Sequence, residues 1–171
     1  MARTLPKRQD INDYRQDCPL TRIGNFQETL YGETLSENHF DIQHVFSSPA
    51  LRCIQTCNAI LQGADKRSIP IAIEPGFFDP GFLFKSVPNW LTTAELKQAG
   101  FKIQSDYKQI FNKEDATLII KEKDPIEFFQ RMDRIFEELL KNMKDKGRLI
   151  FIYLFILTLT TRHKPLKIVI R

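Results

Sequence analysis

HVFSSPALRCIQT, residues 44–56, reads as three pieces in succession: a short apolar strand, a tight Ser-Ser-Pro turn, and a helix that opens with an arginine. The strand is predicted over 43–47. The helix is predicted from Ser48-Pro49 to about residue 62, with Pro49 near its first turn and Gly63 just past its end. A helix N-terminus presents free N–H groups and the positive end of its dipole, so a strand, a turn and a helix start together make an anion site. Packing has no use for an arginine there. The forked guanidinium of Arg52 can hold two phosphate oxygens. Arg52, with Ser48 of the turn, is the candidate phosphate-binding pair, and a surface arginine on a first helical turn is the plainer alternative.

Downstream, IPIAIE (69–74) reads as a second strand. Glu74 ends it just before Pro-Gly, at the C-terminal edge of a strand, where open α/β folds place their sites. A carboxyl beside a bound phosphate is a candidate general acid; a strand-end surface glutamate is the alternative. The loop from 75 to 93 is rich in Phe, Pro and Gly and includes Trp90, and a short helix over 93–98 is closed by Gly100. Residues 101–123 show no decisive pattern.

The clearest element is a helix over 124–146, with Asp124 as N-cap, Pro125 at its first position and Glu127 in a capping-box place. Ile126, Phe129, Met132, Ile135, Phe136, Leu139, Leu140 and Met143 form its apolar stripe. Lys141, Lys144 and Lys146 suit the negative end of the dipole, and Gly147 stops the helix. LIFIYLFILTL (149–159) has 11 residues, short of the roughly 18 a membrane span needs, so it is expected as a buried strand. Left unpaired, it would be prone to aggregation.

Upstream, a helix is predicted over 21–37, capped by Thr21, with Ile23, Phe26, Leu30 and Thr34 at helical spacing. Gly24 and Gly32 weaken it by about 1 kcal/mol each relative to alanine. Residues 1–19 read as an extended arm. The order strand, helix, strand, helix, strand fits a parallel sheet covered by helices.

The bulk numbers bound this reading. The 171 residues, 42% hydrophobic and 27% charged, suffice for one domain with a core. The net charge of +4 is spread among acids, which argues against a nucleic-acid partner. Cys18, Cys53 and Cys57 are an odd set without metal-type spacing, so reduced thiols and a cytoplasmic setting are expected, with no metal or cofactor. The N-terminus is polar and shows no signal peptide.

DCPLTRIGNFQETLYGETL, HVFSSPALRCIQTCNAIL and IEPGFFD together resemble the histidine phosphatase, or phosphoglycerate mutase-like, superfamily. Within it they are most similar to the phosphatase domains of the suppressor-of-T-cell-receptor-signalling and ecdysteroid-phosphate phosphatase group. The resemblance runs from about residue 5 to 147. It implies an α/β fold, a doubly wound sheet with flanking helices, and phosphoryl transfer to a histidine followed by hydrolysis. It implies that Arg52 clamps phosphate, that Glu74 gives a proton to the leaving group, and that the loop carrying Phe77, Phe78 and Trp90 lines the substrate entrance.

Two departures matter. No Arg-His-Gly, the family's nucleophile motif, occurs in the sequence, and Phe155 stands where the second catalytic histidine is expected. The expectation is therefore an incomplete sheet: an arm over 1–19, a partial phosphatase domain over 20–148, and a divergent apolar strand with a basic tail over 149–171. That pattern is expected of a truncated or alternatively spliced product, or of a misread gene, with little or no phosphatase activity. Of the three histidines, His39 falls in a polar loop, His44 starts the first strand, and His163 lies between Arg162 and Lys164 in the tail. The expected partner is a phosphorylated small molecule or phosphoprotein, with self-association through an exposed sheet edge as a further expectation. A non-catalytic binding module, an active phosphatase with another nucleophile, and a chain that does not fold alone stay open as alternatives.

Overall fold

A computed structural model describes residues 5–112 and 114–142, with the backbone of 149–153 and 167–170. In chain order the regular elements are α1 (Asp13–Gln16), α2 (Arg22–Glu37), β1 (His44–Ser47), α3 (Leu51–Gly63), β2 (Ile71–Ile73), α4 (Thr93–Gln98), α5 (Ala116–Ile119), α6 (Pro125–Asn142), β3 (Leu149–Tyr153) and β4 (Lys167–Ile170). β1 lies parallel to β2 on one side and to β3 on the other, so Phe46 sits opposite both Ala72 and Phe151. β4 joins the outer edge of β3 antiparallel, which gives the strand order β2-β1-β3-β4.

Successive side chains of a strand point to opposite faces of its sheet, and β1 shows how this builds two cores. Val45 packs with Ile54, Cys57 and Ile60 of α3 and with Leu91, Leu96 and Ile103. Its neighbour Phe46 packs with Ala72, Phe77 and the α6 residues Phe128, Met132, Ile135 and Leu139. Helices thus cover both faces of a mostly parallel sheet, as the order of elements predicts. The part of 101–123 that the sequence left open includes an edge cover for β2: the Ile71 N–H donates to the Lys102 carbonyl, and the Gln104 N–H to the Ile71 carbonyl.

Two apolar stripes are turned from their expected directions. On α2, Ile23, Phe26 and Leu30 are exposed, and the buried residues are Gly32 and Leu35. α2 meets α3 where neither helix carries a side chain. A Cβ on Gly32 would come 2.1 Å from the Ile60 carbonyl oxygen, and one on Gly63 would come 1.9 Å from that of Thr29. On α6, Ile126 and Phe129 face outward while Phe128 and Arg131 are buried. The α6 cap matches its reading, since Asp124 Oδ1 accepts from the N–H groups of Ile126 and Glu127. Glu127 reaches back to the N–H of Lys123, one residue before the cap.

Within the arm, Tyr14 packs against the first core and Asp17 is buried. Cys53 and Cys57 are buried in α3, Cys18 is exposed, and none of the three is in a disulfide; burial pushes the Cys57 thiol far up. No described helix is long and apolar enough to cross a membrane.

Candidate functional site

The parallel register of β1 and β2 brings their C-terminal ends level, with Ser47 beside Ile73 and the Glu74 N–H bonded to the Ser47 carbonyl. The Ser-Ser-Pro turn and Glu74 therefore leave the sheet at the same edge, as expected of an α/β site. Arg52 is the second residue of α3 and is 8% exposed. Ala50, the N-cap residue, has no side chain that can bond the helix start. That role is filled from the arm: Asp17 Oδ1 accepts from the Leu51 N–H at 2.7 Å.

The anion site expected at this helix start is thus partly taken by the protein itself. Asp17 holds a helix N–H and is ion-paired to Arg8, while Arg52 is ion-paired through Nη2 to Asp79. The Nε atoms of Arg52 and Arg8 are buried without a hydrogen-bond partner among the described residues. A buried donor left unpaired costs about 1–3 kcal/mol, so each of the two marks a point where an acceptor would be stabilising. Ser48 is buried in the turn, and its Oγ accepts a long bond of 3.4 Å from the Ala50 N–H.

The segment after Glu74 is fixed from α6. Arg131 Nη1 donates to the carbonyls of Gly76 and Phe78, and Nη2 donates to that of Asp79. Glu122 pairs with the Arg131 guanidinium and accepts from the Gly81 N–H at 2.9 Å. Phe77 and Phe78, read as entrance residues, have their rings inside the packing. Phe77 lies against Phe136, and Phe78 lies between Phe84 and Trp90. Trp90 is half-buried, and its Nε1 lacks a partner among the described residues.

Glu74 is fully buried and receives four hydrogen bonds: from Gly76 N–H (3.0 Å) and Phe111 N–H (2.9 Å) on Oε1, and from Tyr107 O–H (2.8 Å) and Ile110 N–H (2.7 Å) on Oε2. Four donors fill the lone-pair sites of an ionised carboxylate. The side chain therefore staples the 107–111 segment to the end of β2, and it makes no hydrogen bond to Arg52. Tyr107 is its one partner that could also accept, so a proton on Oε2 would need the phenol to turn. Burial and the adjacent Glu74 charge push the Tyr107 hydroxyl up, which keeps it a donor.

The carboxyls of Asp17, Glu74 and Asp79 are all held above their ordinary values. Burial is the first cause, and it acts against hydrogen bonds at all three and against arginine charge at Asp17 and Asp79. A carboxyl raised in the fold favours the folded state fully below its unfolded value, and that contribution is lost as pH rises through the folded value. The window opens above the ordinary values of 3.8 for the aspartates and 4.5 for the glutamate. The chain is therefore expected to withstand more urea at about pH 5 than at about pH 8. Unfolding midpoints at the two pH values check this; a midpoint that rises with pH would mean that the arginine pairs govern instead.

His44 lines a cavity of about 480 Å³ with Phe46, Gln104, Asp106 and Tyr107, at the start of β1 and so at the opposite end of that strand from Arg52. His39 sits in the preceding turn with a positive φ of 55°. His163 and Phe155 lie outside the described residues. Among the described residues, no cluster of three or more His, Cys, Asp or Glu is placed to hold a metal ion. Sequence reading missed Asp79, Asp17, Arg8, Glu122 and Arg131. One signal was available: Arg131 falls between Phe128 and Met132, Ile135 in the buried stripe of α6, where a charge needs a reason.

Comparisons with known proteins agree on a lineage. The sequence pattern described as Histidine phosphatase superfamily (branch 1) matches residues 2–163. The chain is 36% identical over 144 residues to ecdysteroid-phosphate phosphatase of Drosophila melanogaster, covering 82% of this chain and 19% of that one. It is 31% identical over 156 residues to human ubiquitin-associated and SH3 domain-containing protein B, covering 89% and 24%. The chain thus spans about a fifth to a quarter of the length of these curated relatives. The crystal structure of the ecdysone phosphate phosphatase from Bombyx mori in complex with tungstate is similar at a TM-score of 0.71 and 32% identity, covering 86% of this chain and 61% of that one.

Proposed function

Because the chain belongs to the histidine phosphatase superfamily, we propose that its Arg52 site binds the phosphoryl group of a phosphorylated small molecule or phosphoprotein, and that these 171 residues hydrolyse it slowly or not at all. The observation that carries the first half is the buried Arg52 guanidinium at the start of α3, with an Nε that has no partner among the described residues. An arginine fork suits phosphate oxygens, and the helix start adds its dipole. The second half rests on chemistry. The family's reaction needs a histidine nucleophile, and no Arg-His-Gly occurs in the sequence. Phosphate-monoester hydrolysis is among the slowest uncatalysed reactions, so residual electrostatic contacts leave little turnover. Glu74 is the candidate proton donor in this reading, provided that the Tyr107 pair turns to let it hold a proton. Three cysteines that form no disulfide fit a reducing, cytoplasmic setting.

The test is a thermal melt with and without vanadate, beside Arg52→Ala. Vanadate is expected to raise the melting temperature of the unmodified chain and to leave that of Arg52→Ala unchanged. No response to vanadate in either chain overturns the phosphate reading. A second reading, an active phosphatase with another nucleophile, is favoured by the similarity to ecdysteroid-phosphate phosphatase. Turnover of a generic aryl phosphate that is lost in Arg52→Ala would establish it.

A further inference from the structure

We infer that Asp79 is an internal competitor for anions at Arg52, so that a phosphate monoester binds by displacing the Asp79 carboxylate from the guanidinium. This rests on the phosphate reading of Arg52 and says what controls that site. Two carboxylates occupy the places an anionic ligand would use: Asp17 on the helix N–H of Leu51, and Asp79 on the guanidinium. They are held differently. Asp17 is 1% exposed and is gripped on both oxygens, by Leu51 and by Arg8. Asp79 is 9% exposed, and among the described residues its side chain is hydrogen-bonded by Arg52 Nη2 alone.

The Asp79 backbone does not have to move for the side chain to leave. Its carbonyl, like those of Gly76 and Phe78, is tied to Arg131 on α6, so the carboxylate can turn about a fixed chain. When it turns, it exposes two adjacent nitrogens of Arg52: the Nη2 it gave up and the Nε that had no partner among the described residues. A carboxylate held at one nitrogen uses half of the fork. A tetrahedral dianion can take both nitrogens, and the exchange swaps one negative group for another beside a buried positive charge. Arg131 is a second positive charge in the surroundings of Asp79.

The experiment is a calorimetric titration of inorganic phosphate into the full chain, Asp79→Asn, Arg52→Ala and the double variant Arg52→Ala/Asp79→Asn. Asp79→Asn keeps the shape and one acceptor oxygen but removes the competing charge. It is expected to bind phosphate at least tenfold more tightly than the unmodified chain, and both variants lacking Arg52 are expected to bind none. Equal or weaker binding by Asp79→Asn, while the unmodified chain binds through Arg52, overturns the competition and leaves the phosphate reading standing. No binding by either Arg52-containing chain overturns both. Should Asp79→Asn not fold, a crystal structure of the unmodified chain with phosphate decides. Phosphate on Arg52 with Asp79 turned away supports the inference, and phosphate bound beside an intact Arg52–Asp79 pair overturns it.

Discussion

Replacing Arg131 by methionine is expected to destabilise the chain by about 3–5 kcal/mol, the range seen when one partner of a buried ion pair is removed. The loss has three sources. Glu122 keeps a buried charge without its partner. The carbonyls of Gly76 and Phe78 lose their donor. The guanidinium that lies 5.0 Å over the Phe128 ring is also gone. Methionine replaces most of the side-chain bulk, so the effect reports electrostatics and hydrogen bonding rather than a cavity. Against a total stability of about 5–15 kcal/mol for a domain, such a loss takes much of what the fold has. Urea midpoints give the measurement. The double variant Arg131→Met/Glu122→Gln should recover part of the loss, since it removes the stranded charge. A single variant within about 1 kcal/mol of the unmodified chain would mean that Arg131 is bystander to the loop.

The same network shows why some of the site was legible and some was not. β1, the turn and α3 follow from local signals: an apolar run, proline before the helix and glycine at its end. Arg52 and Glu74 follow too, because their place at strand and helix ends is a matter of sequence order. Asp79 and Asp17 do not. Each matters through a partner 27 or 34 residues away, Arg52 for the one and Leu51 for the other, and periodicity carries no trace of such pairs. The 107–111 segment had no readable pattern because a side chain from β2's end holds it, not its own backbone ladder.

The α2 stripe failed for a different reason. Helical spacing finds which residues share a face, but not which face is covered. Here the covered face is the one that lets two backbones touch, so glycine is the contact and Ile23, Phe26 and Leu30 are left outside. Gly32→Ala and Gly63→Ala test this reading. Helix propensity alone says that alanine at a helical glycine stabilises by about 1 kcal/mol. Packing says the opposite at these two places. The added methyls would lie 2.1 and 1.9 Å from carbonyl oxygens, where about 3.5–4.0 Å is comfortable. The obstacle is backbone, which cannot rotate aside, so α2 and α3 must part or bend along their length. Overpacking costs about 1–3 kcal/mol where side chains can give, and more where they cannot. A net loss of about 2–4 kcal/mol is expected for each. Gly24→Ala, eight residues earlier in the same helix, is the control: its methyl would meet only the flexible end of Leu20 and the Thr21 hydroxyl, so propensity should win and the urea midpoint should hold or rise. Opposite signs for Gly24 and Gly32 would separate packing from propensity within one helix. A gain at all three would mean that the two helices stand further apart than this fold places them.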